Sequence, residues 1–368
     1  MSLMFDVRPN PRPMPADKRD AILAKPGFGT RFTDHMAVAS WTVKDGWHDS
    51  AIVPYGPFTL DPAAAVLHYA QEIFEGMKAY RHGDGSVWLF RPEQNAERFA
   101  RSAKRLGLPV LPEKDFLGSI EALVRTDRDW VPTPTNGSEV SLYVRPFMFA
   151  SEAFLGVRAA EHVTYSCIAS PAGAYFSSGV APVAIWITTR WSRAGAGGTG
   201  AAKCGGNYAS SLVAQQEAAE HGCSQVLFAD AGGHEFVEEL GGMNVYFVTS
   251  KGELVTPELS GSILEGVTRS SILAIAGEQG LTPVERKVTL AELLDGISSG
   301  DIREVFACGT AAVITPISEF KDEQGQSFRV QVDSTDGVGE HTAALRQALL
   351  DIQYGRAEDR HGWMRKVC

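Results

Sequence analysis

The sequence predicts a mixed α/β chain in two domains. At 368 residues it is long enough to build two cores. Strand-like runs alternate with capped helical patterns in both halves, the signature of a mixed chain. Between the halves lies SPAGAYFSSGVAP, whose Gly, Ser and Pro content marks a boundary near residues 173–181. The expected division is residues 1–174, an interdomain loop at 175–181, and residues 182–368.

Residues 1–26 are polar and proline-rich, an arm expected to lie over the surface. They contain no apolar core of a signal peptide. The following stretch to Leu60 alternates as short strands, with turns at Lys44-Asp45-Gly46 and Tyr55-Gly56-Pro57. Asp61-Pro62 reads as a helix start, and FEGMKAYRHGDGSVWLF reads as a hairpin. Arg91-Pro92 opens a helix whose apolar stripe is Ala96, Phe99, Ala103 and Leu106; Arg98 flanks it and by itself reads as solvent-facing. Another helix is expected over Asp115–Val124. In the strand Ser141–Phe147, Leu142 and Val144 face one way and Tyr143 and Arg145 the other, which makes either a solvated face or a polar pocket wall.

The second half begins with the strand Val183–Thr188, then GAGGTGAAKCGGNYASSLVAQQEAA, with a helical pattern over Tyr208–His221 stopped by Gly222. Strands follow at Gln225–Ala229 and near Phe236–Leu240. Two glutamates, Glu238 and Glu239, stand between apolar runs, so alternation turns one inward. Gly266 opens the helix Val267–Ala276 with no acid in its first turn, which suits a phosphate. Thr289 and Glu292 form a capping box, Cys308-Gly309-Thr310 is a tight turn, and a helix over His341–Gln353 ends the fold.

A net charge of −10 with no concentrated basic face argues against nucleic acid, and no apolar run spans a membrane. Five scattered cysteines without CxxC indicate reduced thiols in a cytoplasmic setting, with no zinc or other metal site.

The glycine-rich stretch carries one lysine, Lys203. Glycines this dense are costly inside a helix or strand, and suggest close approach of the backbone to something bound. A P-loop fails, because Ala202 precedes the lysine and Cys204 follows it. Gly195, Gly197 and Gly200 match a dinucleotide fingerprint, but Gly205 and Gly206 break the chain where its helix should run. A solvated surface loop and a Schiff-base lysine remain open on composition. The rest of the chain adds Arg98, two phosphate-type turns and an inward glutamate. These are the groups pyridoxal phosphate needs: a lysine for its aldehyde, an arginine and amides for its phosphate, and a carboxylate for its ring nitrogen.

Seven ordered motifs then resemble the branched-chain amino acid aminotransferases, pyridoxal-phosphate enzymes of fold type IV, in their actinobacterial and mammalian-like branch. They are FTDHM, LHYAQEIFEGMKAY, SLYVRP, GAYF, GGTGAAKCGGNYA, EELGGMN and EVFACGTAAVITP, spread over nearly the whole chain. The resemblance implies a smaller N-terminal α/β domain and a larger C-terminal cofactor domain with a β-barrel-like sheet core. It implies reversible ping-pong transfer of the amino group of L-leucine, L-isoleucine or L-valine to 2-oxoglutarate. Lys203 would be the Schiff-base lysine, Tyr208 the contact to the cofactor phenolate oxygen, and Glu239 the ring-nitrogen partner, with Glu238 turned away. Arg98, Val267, Thr268 and Thr310 would hold the phosphate. Tyr69, Thr310, Ala311 and the neighbouring Ala312 would frame the substrate carboxylate. Phe32, Phe74, Tyr143, Val157 and Tyr175 would line the side-chain pocket, and Arg145 would receive the distal carboxylate of glutamate. Val157 would lie on a loop that reaches a second subunit, implying a homodimer. Two departures stand out. Ala312 and Thr315 occupy the positions of the mammalian CxxC pair, which excludes redox control by that pair. Gly242 replaces a mammalian threonine near the substrate. D-amino acid aminotransferase and aminodeoxychorismate lyase share the fold and are the alternatives; a dinucleotide oxidoreductase using residues 195–200 is the remote one.

Overall fold

A computed structural model describes residues 2–135, 137–173 and 180–368. The chain forms two compact units. The first comprises Met1–Tyr175, Ala202–Gly205 and Asp351–Cys368; the second comprises Phe176–Ala201 and Gly206–Leu350. The sequence alone places residues 351–368 in the second domain. Instead the terminal strand Met364–Lys366 pairs antiparallel with Val87–Phe90, so the tail belongs to the first unit. A three-residue strand after a long helix has too little periodicity to announce its partner.

The first unit is built on a nine-stranded sheet. Its centre is the antiparallel pair Ser141–Ala150 and His162–Ala172, joined over their full length. Helices Pro92–Arg105 and Glu113–Thr126 supply the apolar cover. Phe99 and Phe116 meet with ring centroids 5.0 Å apart, over a buried Tyr165 whose hydroxyl bonds Ser119 at 2.7 Å. Each buried Phe contributes about 1.5–3 kcal/mol of apolar transfer. The arm is more ordered in form than expected: it includes a helix, Ala16–Ala24, and a parallel pairing of Asp6–Val7 with Ala51–Ile52. The helix expected at Asp61 starts only at Ala65; the Asp61 carboxylate instead accepts from the Ala63 amide at 2.8 Å in the preceding turn.

The second unit holds another nine-stranded sheet, mixed in direction. Val183–Thr188 is parallel to Gln225–Ala229, while Asn244–Thr249 and Ile302–Gly309 are antiparallel. The helix Leu290–Ser299 buries Leu293 and Ile297 on this sheet and is capped by the Thr289 hydroxyl, which accepts from Glu292 N at 3.0 Å. The single helix expected over Tyr208–His221 is two: Gly205–Ala209 and Leu212–Glu220. Ser210 and Ser211 hydroxyls turn back onto the Asn207 and Tyr208 carbonyls, the competition that makes serine a poor helix-interior residue. Among the described residues no helix is long and apolar enough to cross a membrane.

Candidate active site

The helix Pro92–Arg105 carries two stripes. Beside the apolar one runs a polar one, Asn95, Arg98 and Ser102, spaced three and four residues apart and fully buried. Arg98 is therefore not a surface arginine. Its Nε and Nη2 donate to the two Glu75 carboxylate oxygens at 2.7 and 2.8 Å, and Asn95 Nδ2 donates to the same carboxylate at 2.7 Å. Burial alone would raise the Glu75 pKa. The Arg98 charge and hydrogen bonds outweigh it, with the Lys203 charge and Asn95 helping, and hold this carboxyl below the ordinary range. Ser102 Oγ accepts from the Lys203 amide at 2.9 Å, and the Lys203 carbonyl accepts from Phe74 N at 3.0 Å. One helix face thus fixes both the Glu75 carboxylate and the backbone of the lysine. Glu75, Asn95 and Ser102 were missed from sequence; the spacing of three and four beside Arg98 marks Asn95 and Ser102, while nothing periodic marks Glu75, 23 residues away.

Two cations share one ring. Lys203 Nζ lies 4.8 Å from the Phe74 centroid and the Arg145 guanidinium carbon 4.8 Å from it. Arg145 Nη2 donates to the Tyr143 hydroxyl at 3.1 Å, and Phe28 packs edge-on against Tyr143 at 5.2 Å. Tyr143 reaches this place because residue 76 is glycine; a Cβ there would collide with the phenol oxygen. The first unit so gathers Lys203, Phe74, Tyr143 and Arg145, and the polar face of the strand Ser141–Ala150 is a wall of aromatic and cationic groups. Phe32 stacks on Tyr55 at 5.1 Å. The Tyr69 hydroxyl donates to the Leu155 carbonyl, which ties it to the loop that carries Val157. Val157 is 88% exposed and Leu155 65%. Tyr175 lies outside the described residues.

In the second unit Glu239 is buried, as expected. Its Oε1 accepts from Leu264 N at 2.8 Å and pairs with Arg193 Nη2 at 2.6 Å, and its Oε2 lies 3.5 Å from Asn244 Nδ2. Glu238 does point the other way, but into protein and not into water: it is buried too, against the Ser260 and Ser262 hydroxyls. Both glutamates thereby clamp the segment 260–264. That segment leads to Gly266, where a Cβ would strike Asn244 Oδ1, and on to the helix Val267–Ile275. This helix has no acid in its first turn, its N-cap residue Gly266 has no side chain to cap it, and Thr268 is buried there. Tyr208 comes close as well: a Cβ on Gly242 would lie 3.8 Å from its ring, and one on Gly309 3.7 Å from the Gly242 carbonyl. Thr310, Ala311 and Ala312 follow directly, and then Val313 at φ 62°, a conformation a β-branched residue rarely accepts. The second unit thus gathers Tyr208, Glu239, Gly242 and the Gly309 turn, and Asn244 links Glu239 to Gly266, just before Val267.

The glycines have an explanation that composition did not give. Gly200 lies against the Ser262 backbone and Gly205 against the Glu72 carboxylate, so these close approaches are to protein. Asn207 and Thr199 exchange two hydrogen bonds, 2.7 and 2.8 Å, which tie the residue four before Lys203 to the residue four after it. No helix follows Gly200 directly; the next begins at Gly205, so a dinucleotide turn is not formed.

Each unit holds groups that suit pyridoxal phosphate: the first a lysine amine, the second a helix N-terminus opened by Gly266 and an arginine-held carboxylate. The sequence profile of the class IV amino-transferase family matches residues 72–320. The chain belongs to the class IV aminotransferases, which are dependent on pyridoxal phosphate. It is 52% identical to the branched-chain-amino-acid aminotransferase of Mycolicibacterium smegmatis, over 99% of this chain and 98% of that protein. With the enzyme of the same name from Mycobacterium tuberculosis it shares 50% identity over 100% of this chain and 99% of the other. The Escherichia coli branched-chain amino acid aminotransferase structure is similar at a TM-score of 0.73 and 27% identity, covering 90% of this chain and 100% of that one. Within its class the chain therefore falls among the branched-chain-amino-acid aminotransferases.

Proposed function

We propose that Lys203 is the base of a reversible ping-pong transfer between branched-chain amino acids and 2-oxoglutarate, and that Arg145 lets one pocket serve both. The observation that carries this is the placement of Lys203 Nζ and the Arg145 guanidinium on the single Phe74 ring. Pyridoxal phosphate, when bound, supplies the electron sink for loss of the substrate Cα proton. Lys203 Nζ takes that proton, from a backbone fixed by Ser102 and Phe74. Phe28, Phe32, Phe74 and Tyr143 would exclude water and receive an aliphatic side chain. Among the described residues Arg145 Nε is buried without a partner, which suits an acceptor such as the distal carboxylate of glutamate. Glu239, Tyr208, Arg98, Thr268, Thr310 and the Val267 amide would hold the cofactor. Tyr69, the Thr310 and Ala311 amides, and Ala312 beside Gly242 would frame the substrate carboxylate.

The substrates are thus small amino acids and 2-oxo acids, with no role for nucleic acid or membrane. A homodimer is proposed as well, supported by Leu155 and Val157, neighbouring apolar side chains of one loop that are 65% and 88% exposed. A cytoplasmic setting is supported by five cysteines that stand as free thiols. The test is amino transfer to 2-oxoglutarate from L-leucine and from D-alanine in parallel. Turnover of L-leucine is expected; turnover of D-alanine alone overturns the reading in favour of a D-amino acid enzyme.

A further inference from the structure

The wall that carries Arg145 also holds the carboxylate of Glu72. Glu72 lies two residues from Phe74 on the short strand Glu72–Phe74, so both side chains fall on one face. The register sets Glu72 opposite Phe149 and Phe74 opposite Phe147, which is the face of Tyr143 and Arg145. Glu72 Oε1 accepts from the amide of Gly205, the second residue after Lys203. Among the described residues no carboxylate stands within ion-pair distance of Arg145, which touches the Tyr143 hydroxyl and the Phe74 and Tyr143 ring faces. The Arg145 charge is nevertheless felt at Glu72, whose carboxyl burial pushes up while the Gly205 amide and Arg145 pull it down.

An uncompensated guanidinium would make this pocket too selective. It would favour a dicarboxylate strongly, and an aliphatic side chain would have to desolvate an unpaired charge. We propose that Glu72 sets the balance between the two substrate classes by opposing the field of Arg145 without pairing with it. The inference rests on the reading of Arg145 given above. Glu72 acts here as a specificity-determining residue, through Arg145 and not on the reacting atoms.

Two unreactive probes separate the effects: glutarate, with a distal carboxylate, and 4-methylvalerate, with a branched end. Their dissociation constants would be measured on the cofactor-loaded enzyme by titrating the absorbance of the bound cofactor. Glu72→Gln keeps an oxygen for the Gly205 amide and removes only the charge. It should tighten glutarate about tenfold and leave 4-methylvalerate nearly unchanged. The gain should vanish in the Glu72→Gln/Arg145→Met double variant. Glu72→Asp, which keeps the charge, should retain the wild-type ratio of the two constants. Equal shifts for both probes, no shift for either, a gain that survives Arg145→Met, or an Asp variant that behaves like Gln would each overturn the proposal. If Arg145→Met alone weakens both probes equally, the Arg145 reading is what has failed, and this inference falls with it.

Discussion

Arg193 Nη2 stands 2.6 Å from Glu239 Oε1, with each side chain only 4% exposed. The same nitrogen donates to the Gly200 carbonyl at 3.2 Å and to the Ser262 carbonyl. One guanidinium therefore joins the glycine-rich stretch, the segment 260–264 and the carboxylate proposed for the cofactor ring. Arg193→Met leaves a buried carboxylate without its counter-charge, which costs about 3–5 kcal/mol. Urea unfolding of the variant should show a loss of that size, together with weaker retention of pyridoxal phosphate on dialysis. A loss below about 1 kcal/mol, the range of an exposed pair, would contradict the structural role.

Glu75 makes the acid side of the stability profile specific. Its folded pKa is lowered, since the Arg98 and Lys203 charges and the Arg98 and Asn95 hydrogen bonds outweigh burial. A depressed carboxyl contributes stability that is present above the unfolded value of about 4.3 and is lost as pH falls through the folded one. Glu75→Gln should therefore be less stable than wild type at neutral pH, and the gap should shrink as the pH drops below that value. Unfolding midpoints measured across this range check it; a constant gap would remove Glu75 from the linkage.

The glycines give opposite expectations at two positions. A Cβ on Gly200 would lie 2.6 Å from the Ser262 carbonyl carbon, while one on Gly206 meets nothing within 4 Å. Gly200→Ala must push backbone from backbone, at about 1–3 kcal/mol. Gly206→Ala, inside a helix, should be neutral or stabilising by up to about 1 kcal/mol. Chemical denaturation of both variants decides; equal losses would mean that the loop closes differently.

These contrasts also show what the sequence could carry. The strands Val183–Thr188 and Gln225–Ala229 stand at the residues where apolar runs placed them. The pairing of Tyr143 and Arg145 on one face follows from alternation alone, because period two is local. Arg98 was misread because its burial depends on Glu75, 23 residues away, and a long-range ion pair leaves no periodic trace. Glu238 was expected to turn away from Glu239, and it does; that it is also buried depends on Ser260 and Ser262, more than 20 residues on. The tail strand and the division of Asp351–Cys368 from the second unit were likewise non-local. The lysine in its glycine loop was legible as a candidate, but the helix face that fixes its backbone was not.

Arg145 tests the dual pocket. Arg145→Ala removes a charge-assisted contact of about 1.5–3 kcal/mol for a distal carboxylate and none for leucine. kcat/KM for 2-oxoglutarate should then fall by roughly 10- to 100-fold more than for L-leucine. Parallel losses for the two substrates would contradict the assignment.

The central claim is that Lys203 carries the chemistry, and absorbance of the cofactor-loaded protein reads it most directly. In the wild type the long-wavelength band of bound pyridoxal phosphate should bleach on addition of L-leucine and return on addition of 2-oxoglutarate. Lys203→Ala should still retain the cofactor, yet show neither change on the wild-type time scale. A Lys203→Ala protein that bleaches and recovers at the wild-type rate would contradict the account.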